Sequence, residues 1–288
     1  MKVWIDGRIV DGAEARIPVT DHGLLYGDGA FEGIRIYAGG LFRLDRHMAR
    51  LGVALRALAL APSGGVAGLR EIALETARAF GEPEAYLRLV VTRGEGALGV
   101  DPTTCNAPRV FCIADRIRLY PEEKLRAGID LVTSSWRRPP ADVLDPRVKS
   151  LNYLNNALAK LEARRAGADE ALLLNAAGQV AEASVANVFA EHEGALVTPP
   201  GVDGALEGIT RATLLELAPA LGLEPRERSL GRFDLLRAGE VFLSGSGAGL
   251  VPVRSLDGRP IGGGVPGPTY ARLRQAFHAA LPQLVVPF

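Results

Sequence analysis

Short β-rich runs that end at glycine-bearing turns constrain the fold of this chain more than any other feature. The 288 residues include 34 glycines, and the runs 170–174, 179–183 and 187–190 follow one another closely. Strands this short predict a barrel-like or highly curved sheet with helices on its outside. The apolar stretches are too short to span a bilayer. A formal net charge of +0 makes nucleic acid an unexpected partner.

The first third of the chain mixes strand and helix signals. Val3 to Val10 is predicted to be a strand, whereas Asp45 to Ala59 places apolar residues at helical spacing. Because this order differs from a regular βαβ series, it predicts an α+β fold. The length favours two domains. We expect a smaller, sandwich-like N-terminal domain over 1–115, a linker over 116–122, and a larger C-terminal domain with the barrel-like sheet over 123–288.

Several kinds of site and location are not expected. The first residues lack a basic segment followed by an apolar one, so we expect no secretory signal and a cytoplasmic location. Cys105 and Cys112 form neither a CxxC motif nor a disulfide framework. The four histidines are widely scattered, so no metal site is predicted.

Lysine is rare in this chain, which makes Lys149 the first candidate for covalent chemistry. Of 33 basic residues only four are lysines, which leaves 33 − 4 = 29 arginines. A guanidinium stays protonated, whereas a desolvated amine can attack a carbonyl carbon and form a Schiff base. The alternative is a solvated lysine near the start of a helix predicted over Leu151 to Arg165.

Three other segments could support such a lysine. Pyridoxal 5'-phosphate (PLP) needs a carboxylate at its ring nitrogen and donors for its phosphate. Glu182 lies in an apolar, strand-like stretch, or alternatively on an edge strand facing water. Ile209 and Thr210 open a predicted helix, where N–H groups could bind phosphate, although a threonine N-cap has the same pattern. Arg50 lies on an amphipathic helix, facing either solvent or a phosphate.

Taken together, these segments resemble the fold-type IV PLP enzymes, and the resemblance covers nearly the entire chain. This family comprises branched-chain aminotransferases, D-amino acid aminotransferases and aminodeoxychorismate lyases. The motifs follow in family order: Tyr26–Arg35, the Arg50 segment, Tyr86–Arg88, Thr92–Gly99, the Lys149 segment, Glu182–Phe189, Gly208–Arg211 and Ser244–Val253.

The resemblance implies roles for the cofactor residues. Lys149 would form the Schiff base and move the proton during ping-pong transamination, and Glu182 would partner the pyridine nitrogen. Tyr153 would bond the phenolic oxygen. The phosphate would be bound by Arg50, Ile209, Thr210 and Ser246. Relatives in this family form dimers, so a homodimer or an assembly of dimers is expected.

The resemblance to the branched-chain enzymes implies leucine, isoleucine and valine as substrates, with glutamate and 2-oxoglutarate as the second pair. The residues expected to contact these small-molecule substrates are Tyr26, Phe31, Arg35, Tyr86, Arg88, Gly247 and Ala248. Phe31, Tyr86 and Arg88 by themselves would be ordinary core or strand residues.

Two departures keep other activities open. The spacing from Lys149 to Tyr153 is one residue shorter than in the branched-chain pattern and is similar to that of D-amino acid enzymes. The loop Gly245 to Gly249 loses the carboxylate of the usual sequence and gains glycine. The alternatives are a D-amino acid aminotransferase or an (R)-amine transaminase, then an aminodeoxychorismate lyase. A non-catalytic α+β binding protein, with Lys149 and Glu182 as a buried ion pair, is the alternative of a different class.

Overall fold

The computed structural model describes residues 1–117 and 119–288, which form two compact units. The first unit contains residues 1–117, 148–152 and 281–288, and the second contains residues 119–147 and 153–280. Both units are therefore discontinuous in the chain. The continuous domain bounds expected from the sequence stay a prediction, and Arg118 of the expected linker lies outside the described residues.

Strands and helices alternate irregularly along the chain. The strands are β1 (Lys2–Ile5), β2 (Arg8–Asp11), β3 (Gly29–Tyr37), β4 (Gly40–Phe42), β5 (Ala85–Thr92), β6 (Arg109–Asp115), β7 (Ile129–Arg137), β8 (Glu170–Leu174), β9 (Val180–Ala183), β10 (Asn187–His192), β11 (Ala195–Thr198), β12 (Glu224–Glu227), β13 (Glu240–Gly245), β14 (Gly249–Leu256), β15 (Arg259–Pro260) and β16 (Val285–Pro287). The helices are α1 (His22–Tyr26), α2 (Leu44–Ala57), α3 (Gly65–Phe80), α4 (Glu122–Ala127), α5 (Ala141–Leu144), α6 (Leu154–Arg165), α7 (Ile209–Leu217), α8 (Arg232–Arg237) and α9 (Pro268–Leu284).

The first unit is built on an antiparallel sheet. Its order is β16-β4-β3-β5-β6-β1-β2, and each of these neighbours pairs antiparallel. Helices α2 and α3 pack on the sheet because their apolar residues recur at helical spacing. The core between them is aliphatic and includes Ile34, Leu51, Leu69, Leu87 and Leu89.

The second unit contains a mixed sheet with the order β12-β11-β10-β13-β14-β7-β8-β9, and β15 pairs with β14. The pairs β11–β12, β14–β7 and β7–β8 are parallel, and the others in this order are antiparallel. Register shifts interrupt the ladders between β14 and β7, β7 and β8, and β8 and β9. Such irregularities bend strands locally. Helix α6 packs against β7 and β8.

The α+β prediction is confirmed by this arrangement. The single strand predicted over Val3 to Val10 is wrong, because β1 and β2 form a hairpin instead. Asp6 and Gly7 have φ values of 50° and 78°, the positive values that a tight two-residue hairpin requires. The helix predicted from Leu151 begins at Leu154. Among the described residues no helix has the length and hydrophobicity needed to cross a membrane.

Candidate active site

In the first unit, the pleat of β3 and β5 brings four of the predicted substrate residues to one face of the sheet. Phe31, Gly33 and Arg35 alternate along β3, with Gly33 opposite Arg88 and Arg35 opposite Tyr86 on β5. Directly opposed residues in an antiparallel pair point to the same side. Phe31, Arg35, Tyr86 and Arg88 therefore share this face.

Lys149 is held beside that face by backbone hydrogen bonds. Its carbonyl accepts from the Phe31 N–H at 3.0 Å, and the Leu151 N–H donates to the Gly29 carbonyl at 2.9 Å. Residues 149–151 thus run along the start of β3 as an extended segment, which explains why α6 begins later. The Lys149 Nζ lies 4.5 Å from the centroid of the Phe31 ring, within cation–π range.

A second cation contacts the same ring. The Arg88 guanidinium carbon lies 4.7 Å from the Phe31 centroid, and its Nη2 donates to the Tyr86 hydroxyl at 3.3 Å. Tyr86 leans across Gly33, since a Cβ at position 33 would collide with the Tyr86 hydroxyl. Only glycine therefore accommodates this position of Tyr86.

Two predicted substrate residues have different partners among the described residues. The Tyr26 hydroxyl accepts from the Gly99 N–H at 2.8 Å. Arg35 shares the face of Phe31, but its Nη1 donates to the Ile117 carbonyl at 3.3 Å and its Nη2 lies 3.8 Å from Glu84. The side-chain contacts given above thus connect Lys149, Phe31, Arg88 and Tyr86. The side chains of Tyr26 and Arg35 contact other segments.

The opposite face of β3 carries a buried charged cluster that sequence reasoning missed. Glu32 is fully buried and accepts from Arg50 Nε and Nη2 at 2.8 and 2.7 Å. His47 Nδ1 lies 2.7 Å from the same carboxylate. The available signal was the spacing of His47 and Arg50, which are three residues apart and therefore on one side of α2.

Charge compensation decides the ionisation of this cluster. Burial alone would raise the pKa of Glu32, but the charges and hydrogen bonds of Arg50 and His47 outweigh it and lower the pKa to about 2. Burial lowers the pKa of His47, Glu32 opposes this, and the charges of Arg50 and Lys149 lower it further. His47 Nδ1 and the Arg50 guanidinium thus both contact the ionised Glu32 carboxylate, which holds the guanidinium in one orientation.

In the second unit, Glu182 lies on the short edge strand β9. Its carboxylate is buried, so the alternative of an edge glutamate facing water is wrong. Arg138 Nη2 lies 3.1 Å from Oε1, while the Leu206 N–H and Asn187 Nδ2 donate to Oε2 at 3.1 and 3.3 Å. Neither partner was identified from the sequence: Arg138 is distant along the chain from Glu182, and Asn187, although it lies in the Glu182–Phe189 motif, has no pattern that marks it as a donor to this carboxylate.

The start of α7 presents backbone donors beside a buried hydroxyl. Its first hydrogen bond runs from the Ala212 N–H to the Gly208 carbonyl, so the N–H groups of 209–211 precede the helical ladder. Ile209 and Thr210 are both buried. A side chain at Gly208 would collide with the Asn187 amide oxygen, so glycine permits this close approach. Helix N-termini of this kind suit anions.

The remaining predicted cofactor and substrate residues lie in turns. Ser246, Gly247 and Ala248 form the partly buried loop between β13 and β14, which the Gly245–Gly249 pair closes. Gly249, the residue that follows the loop, has a φ of 68°, a left-handed conformation that glycine adopts without strain. Tyr153 is partly buried and is the N-cap residue of α6.

Comparison with known proteins identifies a family. The amino-transferase class IV family matches residues 29–256. A putative branched-chain-amino-acid aminotransferase of Methanocaldococcus jannaschii is 44% identical over 96% of this chain and 95% of that protein. A D-alanine aminotransferase of Bacillus licheniformis is 33% identical over 98% of this chain and 97% of that protein.

Solved structures agree with the sequence matches. The branched-chain amino acid aminotransferase of Escherichia coli superimposes with a TM-score of 0.93, at 36% identity and covering 97% of this chain and 94% of that chain. Another branched-chain amino acid aminotransferase, solved with pyridoxamine 5'-phosphate, gives a TM-score of 0.94, at 37% identity and covering 99% of this chain and 98% of that chain. These likenesses confirm the predicted fold class.

Proposed function

Since this chain belongs to the amino-transferase class IV family and is an aminotransferase, we propose that it transfers the amino group of L-leucine, L-isoleucine and L-valine. The proposed acceptor is 2-oxoglutarate, which becomes glutamate. The observation that carries this proposal is 44% identity over almost the whole chain to a putative branched-chain enzyme. Membership of this family excludes the non-catalytic binding protein considered from the sequence.

The cofactor of this family is pyridoxal 5'-phosphate, and the donor set of the chain fits it. The α7 N-terminus offers N–H groups and the buried Thr210 hydroxyl, which suit a phosphate. Glu182 offers a buried carboxylate with an arginine partner, which suits a protonated ring nitrogen. Ser244 Oγ is buried without a hydrogen-bond partner among the described residues, so the second unit also has a spare hydroxyl beside the 246–248 loop.

Each cofactor role expected from the resemblance is part of the proposal. Lys149 holds the cofactor through Nζ, Glu182 accepts from its ring N–H, and Tyr153 bonds its phenolic oxygen. The phosphate is assigned to Ile209, Thr210, Ser246 and Arg50. Support for Arg50 comes from its bidentate pairing with the buried Glu32, which fixes the guanidinium in one orientation.

Lys149 also moves a proton. When bound, PLP supplies the aldehyde carbon that receives the amino group and the ring that accepts electrons from the substrate Cα. With the cofactor bound, the Lys149 Nζ would take the proton from the substrate Cα and would pass it to the cofactor carbon that receives the amino group. Contact with the Phe31 ring holds the flexible Lys149 side chain beside the face of β3 and β5 that carries Phe31 and Tyr86.

The substrate side chain is assigned to the face formed by Phe31, Tyr86 and Arg88. The two aromatic rings offer an apolar surface for a branched aliphatic group, and the Arg88 guanidinium offers a cation for the second carboxylate of glutamate. Tyr26, Arg35, Gly247 and Ala248 complete the proposed substrate contacts.

A D-amino acid aminotransferase is the second candidate. A D-alanine aminotransferase matches 98% of the chain at 33% identity. The Lys149–Tyr153 spacing is also similar to that of the D-amino acid enzymes. An (R)-amine transaminase or a lyase would use the same lysine and cofactor.

We also propose a homodimer, or an assembly of dimers. Residues 17–26 and 96–100 touch through the Gly99–Tyr26 hydrogen bond and expose the large apolar residues Val19, Leu24, Leu98 and Val100. Large apolar side chains exposed on two neighbouring segments favour association. Light scattering would measure the mass, and a Leu98→Arg/Val100→Arg variant is expected to be monomeric.

A half-reaction tests the proposed substrate. The PLP-loaded protein is mixed separately with L-leucine, D-alanine and (R)-1-phenylethylamine, and the absorbance of the bound cofactor is followed. Fast conversion by L-leucine alone supports the proposal, whereas fast conversion by D-alanine or the amine with slow L-leucine overturns it. Lys149→Ala is expected to lower the rate by about 10²- to 10⁴-fold. Lys124→Ala, which removes a partly exposed pair with Asp169, is the matched lysine control.

A further inference from the structure

Arg138 is a buried arginine whose three guanidinium nitrogens contact three different segments. It follows β7 and is 7% exposed. Its Nε donates to the Gly204 carbonyl at 3.1 Å, its Nη1 donates to the Asn156 Oδ1 at 2.9 Å, and its Nη2 lies 3.1 Å from Glu182 Oε1. Lysine could not reproduce this fork of donors.

The surroundings of Arg138 hold its side chain in place. Gly204 has a φ of 100°, and a Cβ there would lie 3.2 Å from the Arg138 Cβ, so a glycine allows the arginine to pack against the turn. Asn156 accepts from Arg138 and donates from Nδ2 to the Ser184 carbonyl at 2.8 Å. The same arginine therefore contacts Glu182 and, through Asn156, the residue that follows β9.

Arg138 differs in charge from the other described donors to Glu182. Leu206 donates a backbone N–H and Asn187 donates a side-chain amide, and both are neutral. A buried carboxylate is costly without a cationic partner, and charge-assisted hydrogen bonds are stronger than neutral ones. The Arg138 guanidinium thus favours the ionised form of Glu182 and restricts its rotamer.

We infer that Arg138 is a positioning residue, which holds the Glu182 carboxylate ionised and oriented to accept the N–H of the cofactor ring. This inference rests on the proposed role of Glu182. Arg138 acts through Glu182, so its contribution to cofactor binding depends on the charge of residue 182. If Arg138 only stabilised the fold, replacing it would weaken cofactor binding by the same factor whether or not residue 182 carried a charge.

A double-mutant cycle separates these two roles. The variants are Arg138→Met, Glu182→Gln and the double variant, and the dissociation constant for PLP is measured with the cofactor-free proteins by fluorescence quenching. Arg138→Met is expected to weaken binding about 10- to 100-fold when Glu182 is present. In the Glu182→Gln background the same substitution is expected to weaken it less than about 3-fold. Equal losses in both backgrounds, or no loss in either, would overturn the inference.

A spectroscopic readout and a conservative variant extend the cycle. With Arg138→Met, the pH dependence of the bound cofactor's absorbance is expected to shift, and Arg138→Lys is expected to restore part of the affinity by restoring the charge. If Arg138→Met does not fold, the neutral Arg138→Gln takes its place in the cycle. An absorbance titration that is identical in the wild type and the variant contradicts the inference.

Lys160→Met is the matched structural control. Lys160 lies 2.7 Å from the fully buried Glu170 in the same unit, so its loss removes a cation from a buried glutamate outside the proposed cofactor residues. We expect a lower unfolding temperature and an unchanged dissociation constant. A wild type that fails to bind PLP would overturn the proposed function, and with it this inference. A wild type that binds while Arg138→Met binds equally well overturns the inference alone.

Discussion

In the first unit Glu32 lies near the middle of the nine-residue strand β3 and pairs with Arg50 on helix α2, which packs on the sheet. In the second unit Glu182 lies on the four-residue edge strand β9 and pairs with Arg138, which lies in an irregular segment after β7. Both carboxylates are buried beside an arginine, but only the first pair uses regular elements with an uninterrupted ladder. Regular spacing can thus position a bidentate ion pair, whereas the second pair depends on bulges and turns.

The largest expected effect concerns the Glu32 pair. Glu32→Gln leaves Arg50 beside a neutral amide, and breaking a buried ion pair costs about 3–5 kcal/mol of unfolding free energy. Urea unfolding at pH 7 without added cofactor measures the loss. The control is Glu75→Gln, since Glu75 is an exposed glutamate that accepts from Trp4, and it should change stability by less than about 0.5 kcal/mol. Equal effects of the two substitutions would contradict the comparison.

Acid should affect the Glu32 cluster in two steps. Because the pKa of Glu32 falls from 4.5 to about 2 on folding, its contribution is complete above pH 4.5 and is lost towards pH 2. That contribution is about 3 kcal/mol. The pKa of His47 is lowered from 6.5, so the unfolded chain binds its proton first and stability begins to fall below pH 6.5.

Urea unfolding at a series of pH values tests both steps. In the wild type, stability should fall below pH 6.5 and fall more steeply below pH 4.5. Glu32→Gln should reduce the lower step, to which other carboxylates with lowered pKa such as Asp130 also contribute, and keep the upper one. A lower step of the same size in both proteins would show that Glu32 is not its source.

Gly33→Ala sharpens the comparison on the other face of β3. The new Cβ would displace the Tyr86 hydroxyl, and overpacking of this kind costs about 1–3 kcal/mol. The KM for the amino acid should rise as well, because Tyr86 belongs to the proposed substrate face. The double variant Gly33→Ala/Tyr86→Phe should recover part of the stability, and no recovery would argue against the hydroxyl as the obstacle.

The smallest expected effect is that of an exposed pair in the second unit. Hydrogen bonds from Arg254 and Ser255, with the Arg254 charge, outweigh desolvation and lower the pKa of Asp130 to about 2. Arg254 is 42% exposed, so solvent screens the pair and Arg254→Met should cost less than about 1 kcal/mol. The difference from wild type should shrink in about 1 M salt. A loss as large as that of Glu32→Gln would remove the distinction between buried and exposed pairs.

Local pattern explains which parts of the fold could be predicted. Helix α2 follows from apolar residues at helical spacing, and short runs such as Glu170–Leu174 follow from their composition. The β1–β2 hairpin was missed because its only signal, Asp6-Gly7, lies inside an apolar run. The late start of α6 was missed because residues 149–151 bond to β3, a contact more than a hundred residues away along the chain.

The same distinction holds for the candidate site. Rarity of lysine singled out Lys149, and an acid in an apolar strand singled out Glu182, because these are properties of residue type and its immediate neighbours. The contact of Arg138 with Glu182 has no such local signal, and the spacing of His47 and Arg50 shows that they share one side of α2 but does not show that Glu32 is their partner. These contacts depend on strand register, on the pleat and on turns that bring distant segments together.

By itself, then, the sequence determined the α+β class, which follows from the mixed order of strand and helix signals, and the family, which its motifs resemble in their order; the site residues that it indicated stay predictions. Only the tertiary structure decided what the two faces of β3 contact. Phe31 contacts Lys149 and Arg88, whereas the adjacent Glu32 points to the opposite face and pairs with Arg50. It also decided that Arg138 contacts Glu182. The physical reason is that side-chain direction alternates along a strand, while charge pairing depends on contacts that form only when the chain has folded.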